Sequence, residues 1–187
     1  MSKVTGAVRV VVPASSANLG SGFDSAGLAL TMFDEIEASF TDKPGVQVDV
    51  DGEGRNSLPK DENHLIARVM LKTFANLSMP VNGLYLRCIN RIPHGRGLGS
   101  SAAAISAAVV AARALAGTQG TRMDDKGALE LASSIEGHPD NVAACLYGGF
   151  TVSWIDENSY ARAVKINPHQ SIIPVVMIPK FEVDTEQ

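Results

Sequence analysis

The chain has 187 residues, of which 45% are hydrophobic and 19% are charged, and its formal net charge at pH 7 is -4. This length allows one domain with a hydrophobic core, and the composition excludes a disordered or fibrous chain. The acidic balance argues against a broad basic surface for nucleic acid or an anionic membrane, so any phosphate-binding site must be local.

The N-terminal half of the chain predicts strands around one helix. Its predicted strands span residues 7–12, 28–40, 46–50 and 84–89. After the first strand, Pro13 opens a stretch of small residues as far as Gly22, which predicts a loop. Apolar residues at helical spacing predict a helix over 61–74, for which either Asp61 or Asn63 could be the N-cap.

The second half predicts mostly helices. A helix over 100–116 is apolar on nearly all sides, so we expect it to be buried at the centre of the domain. Further helices are predicted over 125–135 and from Pro139, since proline is tolerated in a first turn. Strands are predicted over 150–155 and 172–178. Because the strands come in groups rather than in strict alternation with helices, the predicted fold class is α+β.

Two further features bear on the cellular location. The longest apolar run, 102–112, is shorter than the roughly 20 residues that a membrane span needs. Arg9 and Pro13 interrupt the N-terminal apolar stretch, whereas a secretory signal has a continuous one.

Cys88 and Cys145 are far apart and lack neighbouring Cys or His, which predicts buried thiols instead of a disulfide or zinc site. We expect a cytoplasmic protein with no membrane partner.

A glycine-rich turn, Pro93 to Ser101, precedes the central helix. Its glycines let the backbone approach an anion, and the following helix presents unpaired N–H groups. Ser100 and Ser101 add hydroxyls that suit a phosphate oxygen or Mg²⁺. The turn lacks the lysine of a Walker loop and the βαβ context of a dinucleotide loop. The alternative is a flexible turn that only caps a buried helix.

Three segments carry a resemblance to a known family. Pro93-x-x-x-Gly97-Leu98-Gly99-Ser100-Ser101-Ala102-Ala103 resembles the ATP-binding signature of the GHMP kinase superfamily, and residues 13–24 and 136–143 resemble segments of its homoserine kinases. The resemblance implies an N-terminal ATP-binding domain over 1–167, similar to domain 2 of ribosomal protein S5, with a left-handed βαβ crossover. It also implies that 168–187 begins a ferredoxin-like C-terminal domain that is otherwise missing from this chain.

The resemblance implies roles for individual residues. Glu136 and Ser101 are expected to share Mg²⁺ as catalytic residues, and Asp24 is a possible catalytic base. The implied ATP-binding residues are Pro93, Gly95, Arg96, Gly97, Leu98, Gly99, Ser100, Ser101, Ala102 and, near the base, Asn63. The implied substrate-binding residues are Asn18, Asp24, His138, Asp140 and Asn141.

These residues also have purely structural interpretations. Asn18 and Asp24 could satisfy the backbone of a turn, and Asp140 with Asn141 could begin a helix. His138 alone could be structural, Asn63 could cap a helix, and Glu136 could be an exposed residue at a helix end.

The function implied by the resemblance is ATP-dependent phosphorylation of the L-homoserine hydroxyl. A sister kinase of mevalonate or a sugar, or a non-catalytic module that binds a nucleotide or RNA, are the alternatives, although the acidic charge opposes RNA. The resemblance also implies arginines of the second domain that hold the substrate carboxylate, and we expect this sequence to end before them. We therefore expect weak activity or none from this chain alone. A homodimer is possible, and the apolar segment 172–178 is expected to promote association.

Overall fold

The structure is a computed structural model that describes residues 5–179. Within this range the chain forms six strands and four helices. Their bounds are β1 Thr5–Leu19, β2 Gly22–Phe40, β3 Gly45–Gly52, α1 Leu65–Asn76, β4 Gly83–Asn90, α2 Ser100–Gly117, α3 Asp125–Glu136, α4 Asp140–Tyr147, β5 Phe150–Ile155 and β6 Ala161–Ile166. The α+β prediction is confirmed, because one sheet and a group of helices share a core.

The long strand β2 organises the sheet. β1 pairs antiparallel along one edge of β2, while the other edge is shared by β4, which pairs with residues 35–40, and β5, which pairs with residues 26–28. β3 adds to β4 as a parallel neighbour and β6 adds to β5 as an antiparallel one. Residues 30–34 of β2 have no strand partner on that second edge within the described chain.

The helices cover the sheet with α2 at their centre. α2 and α4 contact β1 and β2, and α1 and α3 contact α2. By length and composition alone α2 could cross a membrane. Here most of its side chains are buried in the core, which confirms the prediction of a central buried helix and accounts for its apolar composition.

Two predictions about the N-terminal half are wrong. The predicted loop over 13–22 is a continuation of the hairpin, since β1 extends to Leu19 and only a two-residue turn separates it from β2. Register shifts in the β1–β2 ladder accommodate its small residues within the pairing. The N-cap of α1 is His64, whose Nδ1 accepts the N–H of Ile66, whereas the carboxylate of Asp61 accepts the N–H of Asn63.

The predicted strand over 172–178 is also wrong. This segment has no strand partner within residues 5–179, and Pro174 in its middle has no N–H to donate to a ladder. The last described strand is β6, which the sequence analysis missed. It follows a tight polar turn in which Asp156 Oδ1 accepts the N–H groups of Asn158 and Tyr160.

Candidate functional site

The glycine turn has the backbone geometry of an anion-binding loop. The chain leaves the sheet after Asn90, passes through this turn and enters α2 at Ser100. Gly95, Gly97 and Gly99 have φ angles of +63°, +70° and +64°, a region that other residues enter only at a cost. Gly99 is the N-cap of α2 and supplies no side chain to its free N–H groups, and the first turn of the helix contains no acidic residue. These N–H groups are therefore available to an anion.

Both ends of this loop are tied to the central hairpin. The carboxylate of Asp34 on β2 accepts the N–H of Arg91 at 2.6 Å and that of Ile92 at 2.9 Å. Near the other end, the N–H of Ser15 on β1 donates to the carbonyl of Leu98 at 3.0 Å. Burial raises the pKa of Asp34, although its two backbone hydrogen bonds act in the opposite direction. The hairpin thus fixes where the loop begins and ends.

Ser101 and Glu136 meet beside the loop. Ser101 stands in the first turn of α2, and its Oγ donates to Oε2 of Glu136 at 2.9 Å. Glu136 is the last residue of α3, which Gly137 ends with a left-handed φ of 101°. Ser101 is exposed and Glu136 is half-buried, so a ligand on the loop can reach both oxygens. The structure therefore brings together the two residues that were predicted to share a metal ion.

The start of α4 lies beside Gly99 of the same loop. Asp140 is buried, with 1% exposure; its Oδ1 lies 2.7 Å from Nδ1 of His138 and accepts the N–H of Asn141 at 2.7 Å. Its other oxygen is buried and has no partner among the described residues. The side chain of Asn141 bonds to Ser15 Oγ at 2.8 Å. Two of the predicted substrate residues thus already bear structural contacts, as the structural interpretation anticipated.

Asn18 and Asp24 lie at the tip of the β1–β2 hairpin. Both are exposed and both have positive φ, at 57° and 54°, which is uncommon for residues other than glycine. Oδ1 of Asn18 accepts the N–H of Asp24 at 2.7 Å, so this amide supports the turn. The carboxylate of Asp24 makes no hydrogen bond within residues 5–179 and remains open to solvent.

A cavity opens between the loop, α1 and the sheet. Its lining residues are Val12, Asp34, Ile36, Leu58, His64, Leu65, Ile66, Asn90, His94, Ser100, Ser101 and Ala104. Most of this wall is apolar, and the two serines connect it to the first turn of α2. The cavity is therefore continuous with the anion-binding turn, as a site for a flat group attached to phosphates would be.

His64 is the residue in this wall that the sequence analysis missed. It is 3% exposed, and burial lowers its pKa, so the ring is neutral at pH 7. Because Nδ1 accepts the N–H of Ile66 at 3.2 Å, the ring hydrogen is on Nε2. Nε2 is buried and has no partner in the described part of the chain. A signal was present in the sequence, since His64 directly precedes the apolar periodicity of α1, but a histidine at that position does not by itself reveal an unused donor.

Several other predicted residues have contacts away from the cavity. Asn63 is exposed, does not line the cavity, and donates its side-chain amide to Asp61 at 3.0 Å. Nη1 of Arg96 donates to the carbonyl of Pro179 at 3.2 Å. Leu98 and Ala102 are buried and pack in the core, so only their backbone can face a ligand. Pro93 is half-buried within the turn.

The two oxygen ligands beside the loop, from Ser101 and Glu136, suit Mg²⁺, which needs few protein ligands, better than a metal ion that is coordinated entirely by protein side chains. Within residues 5–179 no group of three or more His, Cys, Asp or Glu side chains is arranged to hold a metal ion. Mg²⁺ typically takes one or two protein oxygens and completes its shell with phosphates and water. Ser101 and Glu136 supply one hydroxyl oxygen and one carboxylate oxygen, which are protein ligands that Mg²⁺ accepts.

Known proteins are similar to this chain in sequence and in fold. Residues 64–149 match the family described as GHMP kinases N terminal domain. The chain is 54% identical to a homoserine kinase of Streptomyces avermitilis over 96% of its own length, and 53% identical to one of Streptomyces coelicolor over the same share. The crystal structure of homoserine kinase from Cytophaga hutchinsonii superposes on 87% of the chain with a TM-score of 0.73 and 33% identity, and 52% of that protein is covered.

The family match places residues 64–149 in the N-terminal domain of the GHMP kinases, and the fold and the glycine turn agree with that match. Within that superfamily, the two Streptomyces relatives and the Cytophaga structure are homoserine kinases. The chain spans 58% of the length of each Streptomyces relative.

Proposed function

We propose that this chain forms the nucleotide-binding part of a homoserine kinase, a cytoplasmic enzyme that transfers the γ-phosphoryl group of ATP to the hydroxyl of L-homoserine in threonine biosynthesis. The observation that carries the proposal is the Ser101–Glu136 pair at the first turn of α2, beside three glycines with positive φ. A phosphate held by the turn would lie next to a hydroxyl and a carboxylate suited to Mg²⁺. The similarity to homoserine kinases over 96% of the chain supports the choice of substrate.

In this proposal the loop binds the triphosphate through its backbone. The N–H groups of the first turn of α2 point at the phosphates, with Gly95, Gly97 and Gly99 allowing close approach. The adenine base occupies the neighbouring cavity, where the Nε2–H of His64 donates to one of its ring nitrogens. His64 thereby replaces Asn63 as our candidate for recognition of the base, because the Asn63 side chain lies outside the cavity.

Ser101 and Glu136 are the residues that would hold Mg²⁺ together with the phosphates. A cation held there would supply positive charge to neutralise the charge that develops during phosphoryl transfer. The carboxylate of Glu136 is directed toward this position by the hydroxyl of Ser101. A loose transition state of this type depends on positioning and electrostatic stabilisation more than on covalent chemistry.

The acceptor alcohol is proposed to lie between the hairpin tip and the start of α4. Asp24, whose carboxylate has no hydrogen-bond partner in the described part of the chain, is proposed to bind the substrate ammonium and is also the candidate base for the substrate hydroxyl. His138, Asp140 and Asn141 form the other wall, where the buried Asp140 fixes the ring of His138. Asn18 supports the turn that presents Asp24. The proposed domain division, 1–167 and 168–187, leaves all of these residues in the first unit.

The experiment that tests this function is calorimetric titration of Mg-ATP into the purified chain, with a coupled assay for phosphorylation of L-homoserine. We expect saturable Mg-ATP binding that Ser101→Ala and Glu136→Ala weaken. A folded chain that binds no nucleotide would overturn the proposal. In the coupled assay, a clear preference for mevalonate or galactose over homoserine would retain the kinase but replace its substrate.

Nucleotide binding without turnover is the second candidate function. The chain spans only 58% of the length of the Streptomyces homoserine kinases, so groups that those enzymes use can lie in the sequence that this chain does not share. In that case the calorimetric titration gives binding and the coupled assay gives no product. Salt-dependent binding of RNA at submicromolar concentration would favour an RNA-binding module instead.

A further inference from the structure

The buried hydroxyl of Ser15 on β1 lies against both α4 and Gly99 of the phosphate loop. Ser15 has 0% exposure, and its Oγ is 2.8 Å from Oδ1 of Asn141 at the start of α4. Cys145, one turn further along α4, has its Sγ 3.5 Å from the same Oγ and 3.4 Å from the carbonyl of Pro13. Ser15 and Asn141 are 126 positions apart in the sequence, so only the tertiary fold creates this contact.

In this cluster the amide oxygen of Asn141 faces the hydroxyl of Ser15. Burial raises the pKa of the Cys145 thiol to about 12, so at neutral pH it is a protonated donor toward Pro13 or Ser15. The single hydroxyl hydrogen of Ser15 is then free to point at Asn141. A hydroxyl that donates must face an acceptor, and the acceptor of the amide is its oxygen. The Nδ2 group of Asn141 therefore points away from Ser15.

This outward Nδ2 group is an unused donor. It makes no hydrogen bond within residues 5–179, and it is not among the buried polar atoms that lack a partner, so solvent reaches it. The Ser15–Asn141 contact also lies directly against the phosphate loop. A Cβ added to Gly99 would be 2.1 Å from Ser15 Oγ and 2.9 Å from Asn141 Oδ1. The amide donor is thus displayed next to the last residue of the loop.

We propose that Ser15 is a positioning residue, which fixes the amide of Asn141 so that its NH₂ group donates to the hydroxyl oxygen of the acceptor alcohol beside the phosphate loop. The role of Asn141 toward the alcohol rests on the proposed function. The orientation of the amide by Ser15 does not, because it follows from contacts of the chain without any ligand. Ser15 itself touches no reactant, since its hydroxyl is buried behind Asn141 and Gly99.

The orientation can be tested on the chain without ligand. The side-chain NH₂ signal of Asn141 is identified in a ¹⁵N-labelled sample by its loss in Asn141→Ala, and its ¹⁵N relaxation reports whether the amide is fixed. We expect a rigid amide in the natural chain and a mobile one in Ser15→Ala. Ser133→Ala is the matched control, because Ser133 is also buried but its hydroxyl has no partner among residues 5–179. An amide that is equally rigid in Ser15→Ala, or mobile in the natural chain, overturns the proposal.

The consequence for the substrate is tested by titrating L-homoserine into the chain saturated with Mg²⁺ and a non-hydrolysable ATP analogue. Ser15→Ala should weaken homoserine binding about five- to tenfold and leave the affinity for the analogue within about twofold. Equal losses for both ligands, with a lower Tm, would show that Ser15 is merely structural and contradict the proposal. If the natural chain binds the analogue but no homoserine, the role of Asn141 toward the alcohol is contradicted, and the relaxation measurement still decides whether Ser15 orients the amide.

Discussion

The hydroxyl oxygen of Ser101 lies 2.9 Å from a carboxylate oxygen of Glu136, although the two residues are 35 positions apart in the sequence. The packing of α3 against α2 brings them together. Since the pair is accessible and stands at the free N–H groups of α2, it marks where a cation and a phosphate can share protein ligands.

Glu136→Gln keeps the size and a hydrogen-bond acceptor but removes the charge. We expect the enhancement of ATP affinity by Mg²⁺ to disappear, while the weaker binding of ATP in EDTA stays the same or improves slightly, because a negative charge near the phosphates is lost. Titrations with and without Mg²⁺ measure the difference. Glu130→Gln is the control, because this residue of the same helix pairs with Arg162. An equal loss of the Mg²⁺ effect in both variants would argue against the assignment.

Gly99→Ala should destabilise the chain through both backbone strain and a steric clash. The φ of +64° disfavours a side chain, and the new Cβ would meet the Ser15–Asn141 contact at 2.1 Å and 2.9 Å. We expect a loss of about 2–4 kcal/mol in the free energy of unfolding. Gly97→Ala is the matched variant, since its φ is +70° but nothing lies within 4 Å of its added Cβ. It should lose only about 1–2 kcal/mol. Denaturant unfolding compares the two, and equal losses would contradict the clash.

His64→Asn separates recognition of the base from binding of the phosphates. Asparagine can still cap α1, but it does not place a donor where Nε2 of His64 lies. We expect ATP affinity to fall about tenfold, while the affinity for inorganic tripolyphosphate is unchanged. Asn63→Ala should leave both affinities unchanged, since Asn63 does not line the cavity. If Asn63→Ala weakens ATP and His64→Asn does not, the original assignment of Asn63 is the correct one.

The two cysteines should be unreactive in the folded chain. Burial raises the pKa of Cys88 and of Cys145 to about 12, so at pH 8 neither presents a thiolate. A thiol reagent should therefore label no cysteine in the native chain and two after denaturation. The folded thiols hold their protons more tightly than unfolded ones, so their contribution to stability is complete below pH 9 and is lost as the pH rises from about 9 to 12. Rapid native labelling would show that one site is open.

The apolar segment 172–178 is expected to promote association. Ile173, Val175 and Met177 are 79%, 86% and 90% exposed, and no strand of the described chain pairs with them. Deleting residues 168–187 should raise the soluble yield and shift the chain toward the monomer in light scattering. Deleting 180–187 alone leaves the apolar segment in place and should change neither quantity. An unchanged oligomer size after the longer deletion would count against association through this segment.

Local patterns in the sequence predicted most of the elements and the outline of the site. The helical spacing of apolar residues located α1, α2 and α3, and the alternating glycines located the phosphate loop. Long-range contacts could not be predicted in this way. The free Nε2 of His64 depends on burial by other elements, and the contact between Ser15 and Asn141 depends on how α4 packs on β1. The segment 172–178 looked like a strand because it is apolar, but a strand also needs a neighbour to pair with.

The interruption on one edge of β2 has a consequence for the thermodynamics of ligand binding. β4 and β5 use separate parts of that edge, and the phosphate loop is bonded to the hairpin at both ends, with Arg91 and Ile92 bonded to Asp34 and Leu98 bonded to Ser15. The conformational entropy of the loop is therefore lost when the sheet folds and not when a ligand arrives. Phosphate binding should accordingly carry only a small unfavourable entropy from ordering the chain. Before any nucleotide is added, the amides of Arg91 and Ile92, which are bonded to Asp34, should resist hydrogen exchange more than the free amides at the start of α2.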